Sequence, residues 1–553
     1  MKCGTIKVWA LDCASFNEVR VRGGNMIKSK FTRSAGILMP VSSLPSPYGI
    51  GTFGKEAYEF VDFVDKTNHK YWQVLPLGPT TYGDSPYQSY SANAGNPYFI
   101  DLDKLIEEKL LLKSEVLARD WGDGIVPIKL SEEDALNNRY QLNIDQSIGD
   151  RRYVSYEKMY LNRFDILRLA YNRFKESVKE DKIKTAYEKF LDRSKWLTDY
   201  ALFMALKVDN NFKSWADWEE DLRRRKPEAL DKKAKELEDE IDFWKFIQFK
   251  FYEQWDKLKE YANNKGIEII GDIPIYMGYD SVDVWANQEQ FQLDKDLVAT
   301  KVAGVPPDDF SADGQKWGNP LYDWDRMKKD NYTWWRNRIK WQTNLYDVIR
   351  IDHFLGIVKY YAVPEKDKTA VNGEYREGPG QALLDAINEE LGDKKLIAED
   401  LGVYLPEVNE LLTKNAYPGM KVLEFAFGGS RDNPHLPYNY EKNCVVYGGT
   451  HDNETLMGFF KERSDEELAY AFDYLGTRDR NEILDKVFRA AYSSVSVLTI
   501  FAVWDILGLD NHARMNMPSS TGSNWKWRLT KGQLNESHIN TMRYYASVFD
   551  REK

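Results

Sequence analysis

Cysteine is almost missing from these 553 residues. Cys3, Cys13 and Cys444 are too few for a disulfide framework and have no metal-ligand spacing, which suits a reducing, cytoplasmic compartment. Long apolar runs are missing too. The longest, Val495 to Trp504, ends at Asp505, far short of the ~20 residues that cross a bilayer, so no transmembrane helix is expected. Residues 1–33 carry Asp12, Glu18 and several basic side chains but no apolar segment of signal-peptide length, so secretion is not supported. Positive charge is in deficit: 76 Lys and Arg against 87 Asp and Glu leave −11, which repels a phosphate backbone or an anionic lipid surface. Neither nucleic acid nor membrane is an expected partner. With 42% hydrophobic and 29% charged residues, the chain is too apolar for disorder and too polar for a membrane bundle.

What the chain has in quantity is aromatic surface, with 17 Trp, 34 Tyr and 26 Phe. Exposed rings suit the flat apolar face of a sugar, and an aromatic-rich core would give the same count. Short apolar runs recur, each ending in polar or acidic residues: GILMP (36–40), YWQVLPL (71–77), IEIIGDIPIY (267–276), YDVIRIDHF (346–354), KLIAEDLG (395–402), KVLEFAF (421–427), CVVYGGTHDN (444–453) and VSVLTIFAVWD (495–505). Runs of this kind, most of them separated by enough chain for a crossover helix, predict a parallel sheet, and eight of them predict a closed (β/α)8 TIM barrel. The long interval between the second and third runs is helical in pattern, so an α/β barrel with a mainly helical insertion at about 101–262 is expected. Residues 304–322, with Gly, Pro and Ser at intervals, read as a loop. Residues 1–33 read as an extension outside the fold, with Met26 an alternative start, and 34–553 as one catalytic domain.

A barrel enzyme places its chemistry at the C-terminal ends of the strands. Four ends carry acids: Asp272 in GDIP, Asp352 in RIDHF, Glu399 and Asp400 in AEDLG, and Asp452 in GTHDN. A pair of carboxyls in unlike environments is what glycoside chemistry needs. Each acid alone is more often a helix cap or a salt-bridge partner. Arg350, two residues before Asp352 on one strand, falls on the same side of the pleat and is placed to keep Asp352 ionised. Glu399 follows Leu396, Ile397 and Ala398, so desolvation is expected to raise its pKa. Asp400 should point the other way and be structural.

The strings RIDHF, AEDLG and GTHDN, in that order, with SLPSPYGIG (43–51), GDSPYQS (83–89), GDIPIY (271–276), DVWAN (283–287), GVPPDDFSADGQKWGNPLY (304–322) and ARMNMP (513–518), closely resemble glycoside hydrolase family 77, the amylomaltases or 4-α-glucanotransferases. The likeness runs from about Gly36 to Arg528. It implies that Asp352 is the nucleophile, Glu399 the general acid/base and Asp452 the carboxylate that steadies the transition state. It also implies donor-site contacts from His451, Asp272, Asp84, Ser85 and Arg350, with Tyr87 stacking on the donor glucose. Phe310 and Trp317 become sugar platforms on a loop over the cleft, with Gln315 and Asn319 beside them. No metal and no cofactor are implied.

The chain departs from the family pattern at Asp309 and Asp313, which bears on acceptor contacts, and at Leu355, which stands where many members have a charged residue. The activity implied is retaining transfer of α-1,4-glucan segments from a donor to the 4-hydroxyl of a glucose or maltooligosaccharide acceptor. A hydrolase with the same acids and a silent glucan-binding protein are the rivals. Desolvated strand-end carboxylates argue against the second.

Overall fold

The computed structural model describes residues 29–81, 83–177, 181–307, 311–520 and 522–553. In chain order the strands are β1 (Ser34–Leu38), β2 (Tyr71–Gln73), β3 (Glu268–Ile273), β4 (Lys301–Val305), β5 (Gln315–Pro320), β6 (Val348–Ile351), β7 (Lys359–Pro364), β8 (Glu374–Glu377), β9 (Lys395–Ala398), β10 (Gly419–Val422), β11 (Cys444–Tyr447) and β12 (Leu498–Ala502). Each of the eight apolar runs supplies one strand of a parallel sheet in the order β10-β11-β12-β1-β2-β3-β6-β9. Every residue of β1, β6, β11 and β12 is buried, as expected of strands covered on both faces.

The cylinder closes between β9 and β10 through one backbone hydrogen bond and one side chain. Ala398 N–H donates to Pro418 O at 3.1 Å, and Met420 N–H donates to Asp400 Oδ1 at 2.6 Å. A Cβ on residue 419 would lie 2.4 Å from Asp400 Oδ2, so Gly419 leaves the space that this latch needs. Asp400 is therefore structural, as its position on the strand predicts. The fold is a (β/α)8 barrel.

Helices between Leu102 and Asn264 form the insertion. The longest, Glu238–Asn264, buries Ile241, Trp244, Gln248, Phe251, Trp255, Leu258 and Ala262, a three-four spacing that places one stripe against the barrel. Its rings interlock with others, Phe246 on Phe174 at 4.8 Å and Phe251 on Phe53 at 5.1 Å between centroids. Trp72, Trp215, Trp244, Trp255, Trp285, Trp335 and Trp504 are fully buried, so much of the aromatic content is core.

Two expectations need correction. Phe31 is buried, and Arg33 donates to the backbone oxygens of Tyr492, Ser494, Ser496 and Phe549, so residues 29–33 belong to the fold. Residues 1–28 lie outside the described residues. The segment 304–322 holds strand on either side of 306–314, Gly304 and Val305 ending β4 and Gln315–Pro320 forming β5: β4 and β5 pair with each other, and β4 pairs with β7, in an antiparallel sheet ordered β5-β4-β7-β8. Backbone pairing overrides the Gly and Pro content of QKWGNP, because the partner strands supply the hydrogen bonds that the composition does not advertise.

Candidate active site

The barrel register brings the acids together. Asp272 in β3 is the register partner of Arg350 in β6, and Ile351 at the end of β6 is the partner of Ala398 at the end of β9. The pattern runs one residue further. Asp352 N–H donates to Ile273 O and Glu399 N–H to Ile351 O, both at 3.0 Å, so Asp352 and Glu399 stand at one level on adjacent strand ends.

Arg350 is buried between carboxylates. Its Nη1 lies 2.7 and 2.6 Å from the two oxygens of Asp272 and 2.9 Å from Asp352 Oδ1. Burial opposes the cation, and Asp272 and Asp352 more than offset that, so the guanidinium stays charged. Asp272 thus fills the supporting role towards Arg350, and Tyr87 O–H donates to its Oδ2 at 2.9 Å.

Glu399 sits in a different environment. Its Oε2 accepts from His353 N–H and its Oε1 from Leu401 N–H, both at 2.7 Å, and the residue is 9% exposed. Burial, and then the charge of Asp352, push its carboxyl up to about 8. His353 adopts φ +51°, which aims its N–H at Glu399. The His353 ring meets Trp317 edge to face at 4.8 Å, and burial holds that imidazole down at about 4.

Asp452 is the open member, its side chain 47% exposed. Asn516 donates to its Oδ1 at 2.6 Å, His451 Nε2 is 3.4 Å from its Oδ2, and Arg514 donates to its backbone oxygen at 3.0 Å. Asn516 and Arg514 lie in ARMNMP, a string that the sequence singles out without giving a role to any residue in it. Its position beyond the end of β12 was the available signal.

The sugar-contact candidates are less uniform. The Tyr87 ring stacks on His451 at 5.0 Å and 18° and leans on Trp525 at 5.8 Å, so one of its faces is taken by protein. Ser85 Oγ accepts from Tyr87 N–H at 3.3 Å, shaping the turn. Asp84 is half-buried with φ +61°, and burial raises its carboxyl. Gln315 and Trp317 lie on β5, where Trp317 Nε1 donates to Gln315 Oε1 at 3.2 Å. Asn319, also on β5, is buried and accepts from Gln88 Nε2 at 3.2 Å, tying this strand to the GDSPYQS turn. Asp313 O accepts from Ala370 N–H, and Leu355 is buried. Phe310 and Asp309 lie outside the described residues. No group of three or more His, Cys, Asp or Glu among the described residues is placed to hold a metal ion.

A family model described as 4-alpha-glucanotransferase, for glycoside hydrolase family 77, matches residues 39–534. A Clostridium butyricum protein named 4-alpha-glucanotransferase is 45% identical over 93% of this chain and 100% of its own length. A Streptococcus pneumoniae protein of the same name is 43% identical over 91% of this chain and 94% of its own length. Among solved structures, amylomaltase from Streptococcus agalactiae in complex with acarbose is 40% identical and superposes with a TM-score of 0.85, covering 94% of this chain and 100% of that one.

Proposed function

The chain belongs to the 4-alpha-glucanotransferase family, and on that premise we propose that it moves α-1,4-glucan segments by a retaining mechanism at Asp352, Glu399 and Asp452. The observation that carries the reading is the contrast between two register neighbours. Asp352 faces a buried cation, whereas Glu399 is desolvated and holds its proton at neutral pH. Adjacent strands lie about 4.8 Å apart, the scale of the ~5–5.5 Å that separates the carboxyls of a retaining pair.

Asp352 attacks the anomeric carbon as the glycosidic C–O bond breaks, and the leaving oxygen takes the proton of Glu399. Glu399, now ionised, removes the proton of the acceptor 4-hydroxyl. That oxygen attacks the anomeric carbon, displaces Asp352 and restores the starting state. Asp452, held by Asn516 and His451, faces the charge that develops on the donor sugar. Arg350, held by Asp272, presents its cation to the nucleophile. Tyr87, His451, Asp84 and Ser85 frame the donor side, and Trp317, Gln315 and Asn319 the acceptor side, with Phe310 assigned to the same side by sequence. The donor is an α-1,4-glucan and the acceptor a glucose or maltooligosaccharide. A cytoplasmic location is part of the proposal and rests on cysteine usage.

Incubation with maltotriose tests the reading. Glucose and a ladder of longer maltooligosaccharides should form while total reducing ends stay constant. Reducing ends that rise in step with substrate loss would show a hydrolase.

A further inference from the structure

Beneath the turn that presents His451 and Asp452 lie two carboxyls that this chemistry does not use. Glu424 follows β10 and Asp505 follows β12, the strands on either side of β11, and they are 8% and 0% exposed. Asp505 Oδ1 accepts from Leu456 N–H at 2.8 Å, while its Oδ2 and Glu424 Oε1 are buried without partners. The Glu424 backbone N–H donates to Gly448 O at 3.1 Å, and a Cβ at Gly449 would come within 3.1 Å of Glu424 Oε1. The carboxyl is therefore packed directly under the turn.

Asn453 packs against the same turn as the Glu424 carboxyl: the same Cβ at Gly449 would lie 3.2 Å from Asn453 Cβ. From Asn453 hydrogen bonds run to Asp452, with Asn453 Oδ1 accepting both the N–H and the Oγ–H of Thr450 at 2.9 Å. Thr450 Oγ1 accepts in turn from Asp452 N–H at 3.2 Å. The charged groups facing Glu424 are Asp505, Glu454 and Arg463, and Glu454 already engages Arg463 through both oxygens at 3.2 Å. Buried carboxyls without a free counterion keep their protons, and burial raises both of these, Asp505 to about 8.

We propose that Glu424 is a positioning residue for Asp452 and His451, acting through Asn453 and Thr450. The inference rests on the reading of Asp452 as the carboxylate that steadies the transition state.

The test compares Glu424→Ala, Glu424→Gln, Asp452→Asn and the Glu424→Ala/Asp452→Asn pair, with maltotriose for the first two and glucosyl fluoride as an activated donor for the last two. Glu424→Ala should lower kcat about tenfold or more with donor KM within about threefold, whereas Glu424→Gln, which fills the same space beneath the turn, should stay within about threefold of wild type. In the Asp452→Asn background, Glu424→Ala should cost less than about threefold, since residues acting as a unit are not additive. Asn453→Ala, which cuts the same chain one link nearer Asp452, should repeat the loss of kcat and serves if Glu424→Ala does not fold. Equal damage from Ala and Gln at 424, wild-type kcat in Glu424→Ala, or a full tenfold loss kept in the double variant overturns the inference. Wild-type activity of Asp452→Asn alone overturns the reading of Asp452 instead.

Discussion

Replacing Glu399 by Gln separates two consequences of burying one acid. In the folded chain the carboxyl titrates at about 8 against its ordinary 4.5, so it is protonated at neutral pH when folded and ionised when unfolded. The stability it contributes is fully present below about pH 4.5 and is lost as pH rises towards 8; the linkage amounts to under ~1 kcal/mol lost at pH 5 and ~3 kcal/mol lost at pH 7. Glutamine does not titrate, but it puts an NH₂ against one of two backbone N–H donors, His353 or Leu401, at a cost of about 1–3 kcal/mol at either pH. The constant cost cancels in a comparison of pH values. Relative to wild type, Glu399→Gln should gain ~2.5 kcal/mol between pH 5 and pH 7, which for a chain this long is a relative rise in Tm of about 2 °C. Scanning calorimetry of both proteins at the two pH values reads this directly. The same Tm difference at pH 5 and pH 7 would refute the argument, because Glu399 would then be ionised at pH 7 and unable to serve as the acid.

Wild-type kcat/KM should fall as pH rises through about 8, where free Glu399 loses its proton, and a rate flat to pH 10 would contradict this. Asp352→Asn should abolish transfer from maltotriose while calorimetric glucan binding persists, and normal turnover would remove Asp352 from its role. Arg350→Met strands Asp272 and Asp352 without their cation and should cost about 3–5 kcal/mol of stability as well as activity; an unchanged Tm would mean that the ion pair is not what the geometry implies. Asn516→Ala removes a donor to Asp452 at 2.6 Å and should lower kcat more than donor KM, an expectation that a pure KM effect would contradict.

The barrel strands were legible because burial on both faces leaves a one-dimensional trace, short runs rich in Val, Ile and Leu that end in polar residues, four of them in an acid. The second sheet left no such trace. Every residue of β8 is exposed or half-buried, and β5 holds Gly318 and Pro320, so neither strand carries an apolar signature. At the site, Arg350 beside Asp352 and the burial of Glu399 followed from neighbours within three residues. The contact of Asn516 with Asp452 spans 64 residues and depends on two strand-end turns meeting in space, which no local pattern encodes. Tyr87 shows the same limit: Gly83 and Pro86 mark its turn, yet the face covered by His451 is set by a strand far along the chain.

The antiparallel sheet beside the cleft has two stems. β4 and β5 leave the barrel after β3, β7 and β8 leave after β6, and the pairing of Lys301–Gly304 with Tyr361–Pro364 joins the two departures. The pieces of chain that follow Asp272 and Asp352 are thereby clasped to each other, and neither can swing as a hinge without undoing four register pairs. A wall built this way can shift only as one piece, so the stretches that follow Asp272 and Asp352 keep their relation to each other.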